Sequence, residues 1–151
     1  MTLSEEDREQ LIKYHIEKSQ QAVDDVKFLI ENKKLYLAAN RIYYGIFYIL
    51  SALALKHNFS TRNHGQLIGW FNKNFIKTGI VDKKYSGIAR NSFELRSEAD
   101  YDVLTSFTKE EIKKSYDNMK DFISVIKKLL EDRNSANEDK RKDEKAGNSK
   151  I

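Results

Sequence analysis

The run Ile42-Tyr43-Tyr44-Gly45-Ile46-Phe47-Tyr48-Ile49-Leu50-Ser51-Ala52-Leu53-Ala54-Leu55 contains neither a charge nor a proline. Its 14 residues fall short of the ~20 that a helix needs to span a bilayer. Tyr43, Tyr44, Tyr48 and Ser51 also place polar atoms inside it. The run therefore reads as part of a helix from Leu35 to about His57, buried on most sides at the centre of the molecule and not a membrane anchor. Everything else in the chain must cover that helix.

The flanking periodicity supplies the cover. Upstream, Ile12, Ile16, Val23, Val26 and Ile30 recur at helical spacings, with Leu11, Ala22 and Leu29 beside them, along a helix from about Ser4 to Asn32. Downstream, Asn63 caps a third helix that bears Leu67, Trp70, Phe71 and Phe75, and Gln66 is placed to reach back to the cap. Gly79 closes it. Tyr85, Ile88, Ser92, Leu95 and Ala99 mark a fourth helix. Thr108-Lys109-Glu110-Glu111 is a capping box for a fifth, striped by Ile112, Tyr116, Met119, Ile123, Ile126 and Leu130. The fold class is all-α, an antiparallel four-helix bundle with one additional shorter helix.

Composition agrees. With 151 residues the chain makes one domain, and 40% apolar residues with eight Phe and eight Tyr are enough for a core. The absence of Pro and the presence of only six Gly disfavour a many-stranded fold. No Cys is present, which excludes disulfides, thiolate metal sites and cysteine nucleophiles. The acidic opening Ser4-Glu5-Glu6-Asp7 is unlike a secretory signal, and a cytoplasmic location is expected.

The net charge of +4 lies wholly on residues 1–130, because six acidic and six basic side chains cancel from Glu131 onward. A mild positive field favours an anionic partner, though a strong nucleic-acid binder shows a denser basic stripe. The division expected is a bundle over 1–133 followed by a disordered charged tail over 134–151.

Few side chains depart from what a bundle requires. Arg41 interrupts the apolar helix beside Asn40, so that the pair either lines a cleft for an anion or carries its charge out to the surface. Arg96 and Asp100 are four residues apart on one helix face. They form either a plain intrahelical ion pair or the border of a polar cleft with Tyr101 at its rim. His64 opens the third helix, where the dipole favours neutral imidazole, so it is either a general base or part of a capping arrangement. The tyrosines Tyr43, Tyr44 and Tyr48 could stack bases or simply fill the core or a dimer interface. No metal-ligand spacing, phosphate loop or nucleophile elbow occurs, so neither metal nor cofactor is expected.

Four motifs in order resemble one known family. These are Ala38-Ala39-Asn40-Arg41-Ile42-Tyr43-Tyr44-Gly45-Ile46-Phe47, Asn63-His64-Gly65, Phe75-Ile76-Lys77-Thr78-Gly79 and Arg96-Ser97-Glu98-Ala99-Asp100-Tyr101. The pattern is similar to that of the HEPN domain family, and the likeness spans roughly residues 8–130. It implies a helical bundle that often dimerises around a cleft, encoded in many cases beside a small nucleotidyltransferase and acting in several pairs as toxin and antitoxin. Ribonuclease members of that family carry an Arg followed four to six residues later by a His, often with a Tyr just beyond, which in some pairs the partner enzyme adenylylates.

Here Arg96 matches the Arg, but Asp100 stands near the place of the His. A carboxylate with an ordinary pKa of roughly 3.9 is a poor proton shuttle at neutral pH and repels a phosphate. Ribonuclease activity through this motif is expected to be weak or absent unless His64 supplies the base from another helix. Tyr101 follows Asp100 directly, about 100° around the helix from where the family motif places its Tyr. The expectation is a homodimeric partner of a nucleotidyltransferase, binding nucleotide or RNA through Asn40, Arg41, Tyr44, Arg96, Asp100 and Tyr101. The alternatives are a metal-independent ribonuclease toxin using Arg96 and His64, and a non-catalytic interaction module.

Overall fold

A computed structural model describes the backbone of residues 3–101 and 107–150, with side chains over 3–100 and 107–131. The described residues are all-α, without strands: α1 (Glu5–Glu31), α2 (Leu35–Lys56), α3 (His64–Phe71), α4 (Lys84–Tyr101) and α5 (Lys109–Lys150). A π-helical turn, Asn72–Ile76, prolongs α3. Helix α2 is the hub; it packs against α1, α4 and α5, and the short α3 leans on α2 and α4.

Local chemistry sets the helix ends. The Ser4 hydroxyl accepts from the Asp7 N–H at 3.1 Å, and Glu5, Glu6 and Asp7 complement the positive end of α1. At its other end Lys33 N–H donates to the Ile30 carbonyl at 3.0 Å and Lys34 N–H to the Leu29 carbonyl at 2.8 Å. That paired closure needs a left-handed residue, and Lys33 takes it at φ 59°. Helix α2 ends the same way, with Asn58 at φ 61°. A chain poor in glycine thus spends a lysine and an asparagine on corners that glycine usually fills. Gly79 does occupy such a corner, at φ 78°, beyond the π-helical turn.

Two local expectations change in detail. Asn63 caps α3 by accepting from the Gln66 N–H at 2.9 Å. The Gln66 side chain does not reach back to the cap, because its Oε1 accepts from the Thr61 hydroxyl at 2.7 Å. Thr61 Oγ1 also takes the Asn63 N–H at 3.1 Å and so replaces the glutamine. Helix α2, at 22 residues, is longer than its charge-free segment, and by length and composition it could cross a membrane. Yet 61% of its most apolar window is buried inside the bundle.

Burial follows the stripes read from sequence. Val26, Ile42, Ile49, Leu50, Leu53, Leu67, Phe71, Ile112, Met119, Phe122 and Ile126 are all fully enclosed. Tyr85 ties α4 to α5 by donating its hydroxyl proton to Asp121, whose two oxygens both lie at 3.1 Å. The helical assignment of α5 continues to Lys150, across the segment expected to be a disordered tail. The side chains of 132–151 lie outside the described residues, as does Ile151 altogether.

Gly45 is what lets α1 and α5 close on α2. A Cβ there would fall inside contact distance of Met119 Cε and lie 3.2 Å from Ala22 Cβ. We expect Gly45→Ala to lower stability in urea unfolding by about 1 kcal/mol. Overpacking of roughly 1–3 kcal/mol outweighs a helix-propensity gain of about 1 kcal/mol. The reverse sign is expected for Lys33→Gly, which relieves the left-handed strain and stabilises by about 0.5–1 kcal/mol after the extra entropy of glycine is deducted.

Candidate functional site

Where α2, the start of α3 and α4 meet, the side chains stop being ordinary core. Tyr43 and Tyr44 project from the middle of α2. Phe93, Arg96 and Asp100 follow at spacings of three and four along α4, so they share one face. His64 is the first residue of α3, oriented by the Asn63 cap.

Tyr43 is the centre of the arrangement and is only 3% exposed. Its ring lies 5.2 Å from that of Tyr44, 6.1 Å from Phe47, 5.0 Å from His64 and 5.8 Å from Phe93, centroid to centroid. Its hydroxyl is hydrogen-bonded to His64 Nδ1. His64 also packs edge-on against Phe47 at 4.6 Å and against Phe93 at 6.0 Å. Phe93 itself stays 37% exposed and forms the rim.

Arg96 covers this aromatic floor. Its guanidinium carbon is 5.1 Å from the Tyr43 ring centre and 5.4 Å from that of Tyr44. Arg41 approaches Tyr44 as well, at 5.3 Å. Two cations thus share one tyrosine, an arrangement that the negative face of the ring favours and their mutual repulsion opposes.

Arg96 Nε stands 3.1 Å from Asp100 Oδ2, and the two side chains are 22% and 33% exposed. This is an ion pair without hydrogen-bond alignment, since Arg96 Nε is a buried nitrogen with no hydrogen-bond partner among the described residues. Arg41 Nε is another. Most buried polar atoms in proteins are hydrogen-bonded, so two such guanidinium nitrogens around one tyrosine ring stand out.

The electrostatics follow from burial. Loss of water raises the pKa of the Tyr43 phenol above its ordinary value, despite the opposing pull of Arg96. Burial, and secondarily the Arg96 charge, lower that of His64. At neutral pH the pair is therefore an uncharged phenol and an uncharged imidazole.

Of the residues singled out by sequence, His64, Arg41, Tyr44, Arg96 and Asp100 come together. Asn40 sits half-buried on α2, one turn before Tyr43 and Tyr44. Tyr101 ends α4, and its side chain lies outside the described residues. Tyr43 and Phe93 were underrated by sequence reasoning. Tyr43 looks like a core residue, and only the position of His64, set by the Asn58–Asn63 connection, gives its hydroxyl a partner. Among the described residues no group of three or more His, Asp or Glu side chains could hold a metal ion.

The lowered pKa of His64 makes stability depend on pH in a definite direction. The unfolded imidazole takes up a proton near pH 6.5, whereas the folded one resists until lower pH. The unfolded state then binds more protons, so stability falls as pH drops through that window and levels off below the folded pKa. His15, also lowered by burial, adds to the same trend. We expect the urea midpoint to decline between about pH 7.5 and 5.5. In His64→Gln the decline is smaller; an unchanged slope would contradict the burial of this imidazole.

Comparison with known proteins bears on the family of the chain. The family description HEPN domain matches residues 12–129. A UPF0332 protein of Thermotoga maritima is 36% identical over 126 residues, covering 83% of this chain and 96% of its own. A protein of Methanocaldococcus jannaschii named "Putative toxin MJ0605" is 32% identical over 117 residues, 78% of this chain and 87% of that one. A second from the same organism, "Putative toxin MJ0142", is 29% identical over 119 residues, 79% and 81% of the two chains.

Proposed function

The chain belongs to the HEPN domain family, and from that premise we propose that it is the HEPN half of a toxin–antitoxin-like pair in the cytoplasm. It binds a nucleotide or RNA in the recess formed by Arg41, Tyr44, Arg96 and Asp100, as a homodimer whose partner is a small nucleotidyltransferase. The observation that carries this reading is the placement of the Arg96 guanidinium. It lies over two tyrosines of the central helix, with Arg41 on the second of them, and is only 22% exposed, where an ordinary surface ion pair would stand in open water. Guanidinium forks bind phosphate oxygens in fixed geometry, and aromatic rings accept bases without regard to sequence. The toxin names of two relatives support the biological setting.

A second reading has one observation in its favour. His64 and Arg96, 32 positions apart, both pack on the Tyr43 ring, at 5.0 and 5.1 Å, so one tyrosine gathers a proton-transfer group and a phosphate-binding group despite the missing His after Arg96. A metal-independent ribonuclease would need both.

The two readings part in one experiment. The full chain is titrated with a labelled short RNA and, in parallel, incubated with total RNA. On the first reading Arg96→Ala weakens binding at least tenfold, the scale of losing a charge-assisted hydrogen bond of about 1.5–3 kcal/mol, and the RNA stays intact. Cleavage that Arg96→Ala abolishes would favour the nuclease. RNA binding indifferent to Arg96 would remove the recess from consideration.

A further inference from the structure

The recess contains a group whose chemistry its neighbours decide. His64 has two ring nitrogens, and Nδ1 is engaged by the Tyr43 hydroxyl. Two arrangements satisfy that contact: Tyr43 donates to a bare Nδ1, or a protonated Nδ1 donates to the Tyr43 oxygen. The second leaves the phenolic proton of a residue that is 3% exposed in search of another acceptor. No further partner of that hydroxyl is seen among the described residues, and stranding a buried donor costs roughly 1–3 kcal/mol. The environment points the same way. Arg96 lies over the Tyr43 ring, and its positive charge disfavours a second proton on the imidazole. The groups facing His64 are Tyr43 and Phe47 from α2 and Phe93 from α4, with Arg96 of α4 near enough to act on its charge. Asp100 faces Arg96.

We propose that Tyr43 fixes His64 as the Nε2–H tautomer, so that the imidazole is a hydrogen-bond donor and, with Arg96, forms a site for a phosphate monoester at the end of a nucleotide or RNA. The ring geometry separates the two nitrogens, and occupation of Nδ1 by the tyrosine leaves Nε2–H as the free edge. Charge selects the ligand class. Arg41 and Arg96 bring two positive charges to Tyr44, and Asp100 is the one carboxylate paired with either among the described residues. One carboxylate against two guanidinium groups leaves positive charge for an anionic ligand to meet. A terminal phosphate, with a charge of about −1.5 to −2 and three acceptor oxygens, meets that demand better than a singly charged diester.

This inference rests on the nucleotide or RNA reading above and sharpens it. A bare Nε2 would be needed to take the proton of a 2′-hydroxyl, and in this tautomer the only lone pair of the ring is already occupied. His64 is then a binding group and Tyr43 its positioning residue, and the site holds phosphate without cleaving it.

The test uses the full chain labelled with ¹⁵N at histidine. Ring proton–nitrogen correlations at neutral pH should show Nε2 protonated and Nδ1 bare in the ligand-free protein. A protonated Nδ1, or an imidazolium, overturns the proposal irrespective of any ligand. Adenosine 5′-monophosphate is then added, and 5′-phosphorylated and 5′-hydroxyl forms of one short RNA are compared. Both phosphorylated ligands should move the His64 Nε2 resonance, and the 5′-hydroxyl RNA should bind about tenfold more weakly. That ratio corresponds to roughly 1.4 kcal/mol.

His64→Ala should weaken adenosine monophosphate about tenfold, and His64→Gln, which keeps an N–H donor without a titrating nitrogen, should recover most of the loss. Tyr43→Phe should let the ring exchange between tautomers and shift both nitrogen signals. If Arg96→Ala abolishes binding while every ligand leaves the His64 resonances unmoved, this inference fails and the nucleotide reading stands. If none of the ligands binds the native chain, both fail.

Discussion

A guanidinium set against the middle of a helical bundle must be compensated, and in this protein the compensation is aromatic. Arg96 meets its carboxylate partner through Nε at 3.1 Å and lies over Tyr43 and Tyr44. Those two rings belong to the helix that the whole bundle is built around. The position of the charge is thus inherited from the packing of α2, which is itself set by Gly45 admitting Met119 and Ala22 at close range. Fold and site share one support.

That shared support explains why the cluster needs three elements. Helix α2 supplies rings, α4 supplies charge, and the start of α3 supplies the imidazole that satisfies the Tyr43 hydroxyl. Without His64, a phenol buried to 3% exposure would lack an acceptor. Without Tyr43 the imidazole would lose the bond that defines its tautomer. Phe47 and Phe93 pack against the imidazole and lower the local polarity, which strengthens the Tyr43–His64 hydrogen bond.

Much of the architecture was legible in the chain, because hydrophobic spacing and caps are local signals. The stripe of α5 and the capping roles of Asn63 and Thr108 depend on residues within a turn or two of each other. Left-handed corners at Lys33 and Asn58 were not legible, since neither residue type announces that conformation as glycine does. The Thr61–Gln66 bond was hidden because it runs across a cap between residues that also suit the ordinary capping box. In the recess, the Arg96–Asp100 pair was visible from its spacing and the anomaly of Arg41 from its apolar neighbours. The Tyr43–His64 contact was not, since it joins residues 21 apart through an irregular connection. A tyrosine inside an apolar helical stripe looks the same whether its hydroxyl meets a partner or a helix groove.

The central claim is that the tyrosines hold Arg96 more firmly than the carboxylate does. Its most direct measurement is a pair of double-mutant cycles in urea unfolding, Arg96→Met with Tyr44→Leu and Arg96→Met with Asp100→Asn. The account predicts a coupling of about 0.5–2 kcal/mol for the ring and only about 0.3–0.5 kcal/mol for the half-exposed ion pair. Coupling confined to Asp100, with none to Tyr44, would make Arg96 a surface clasp and contradict the account.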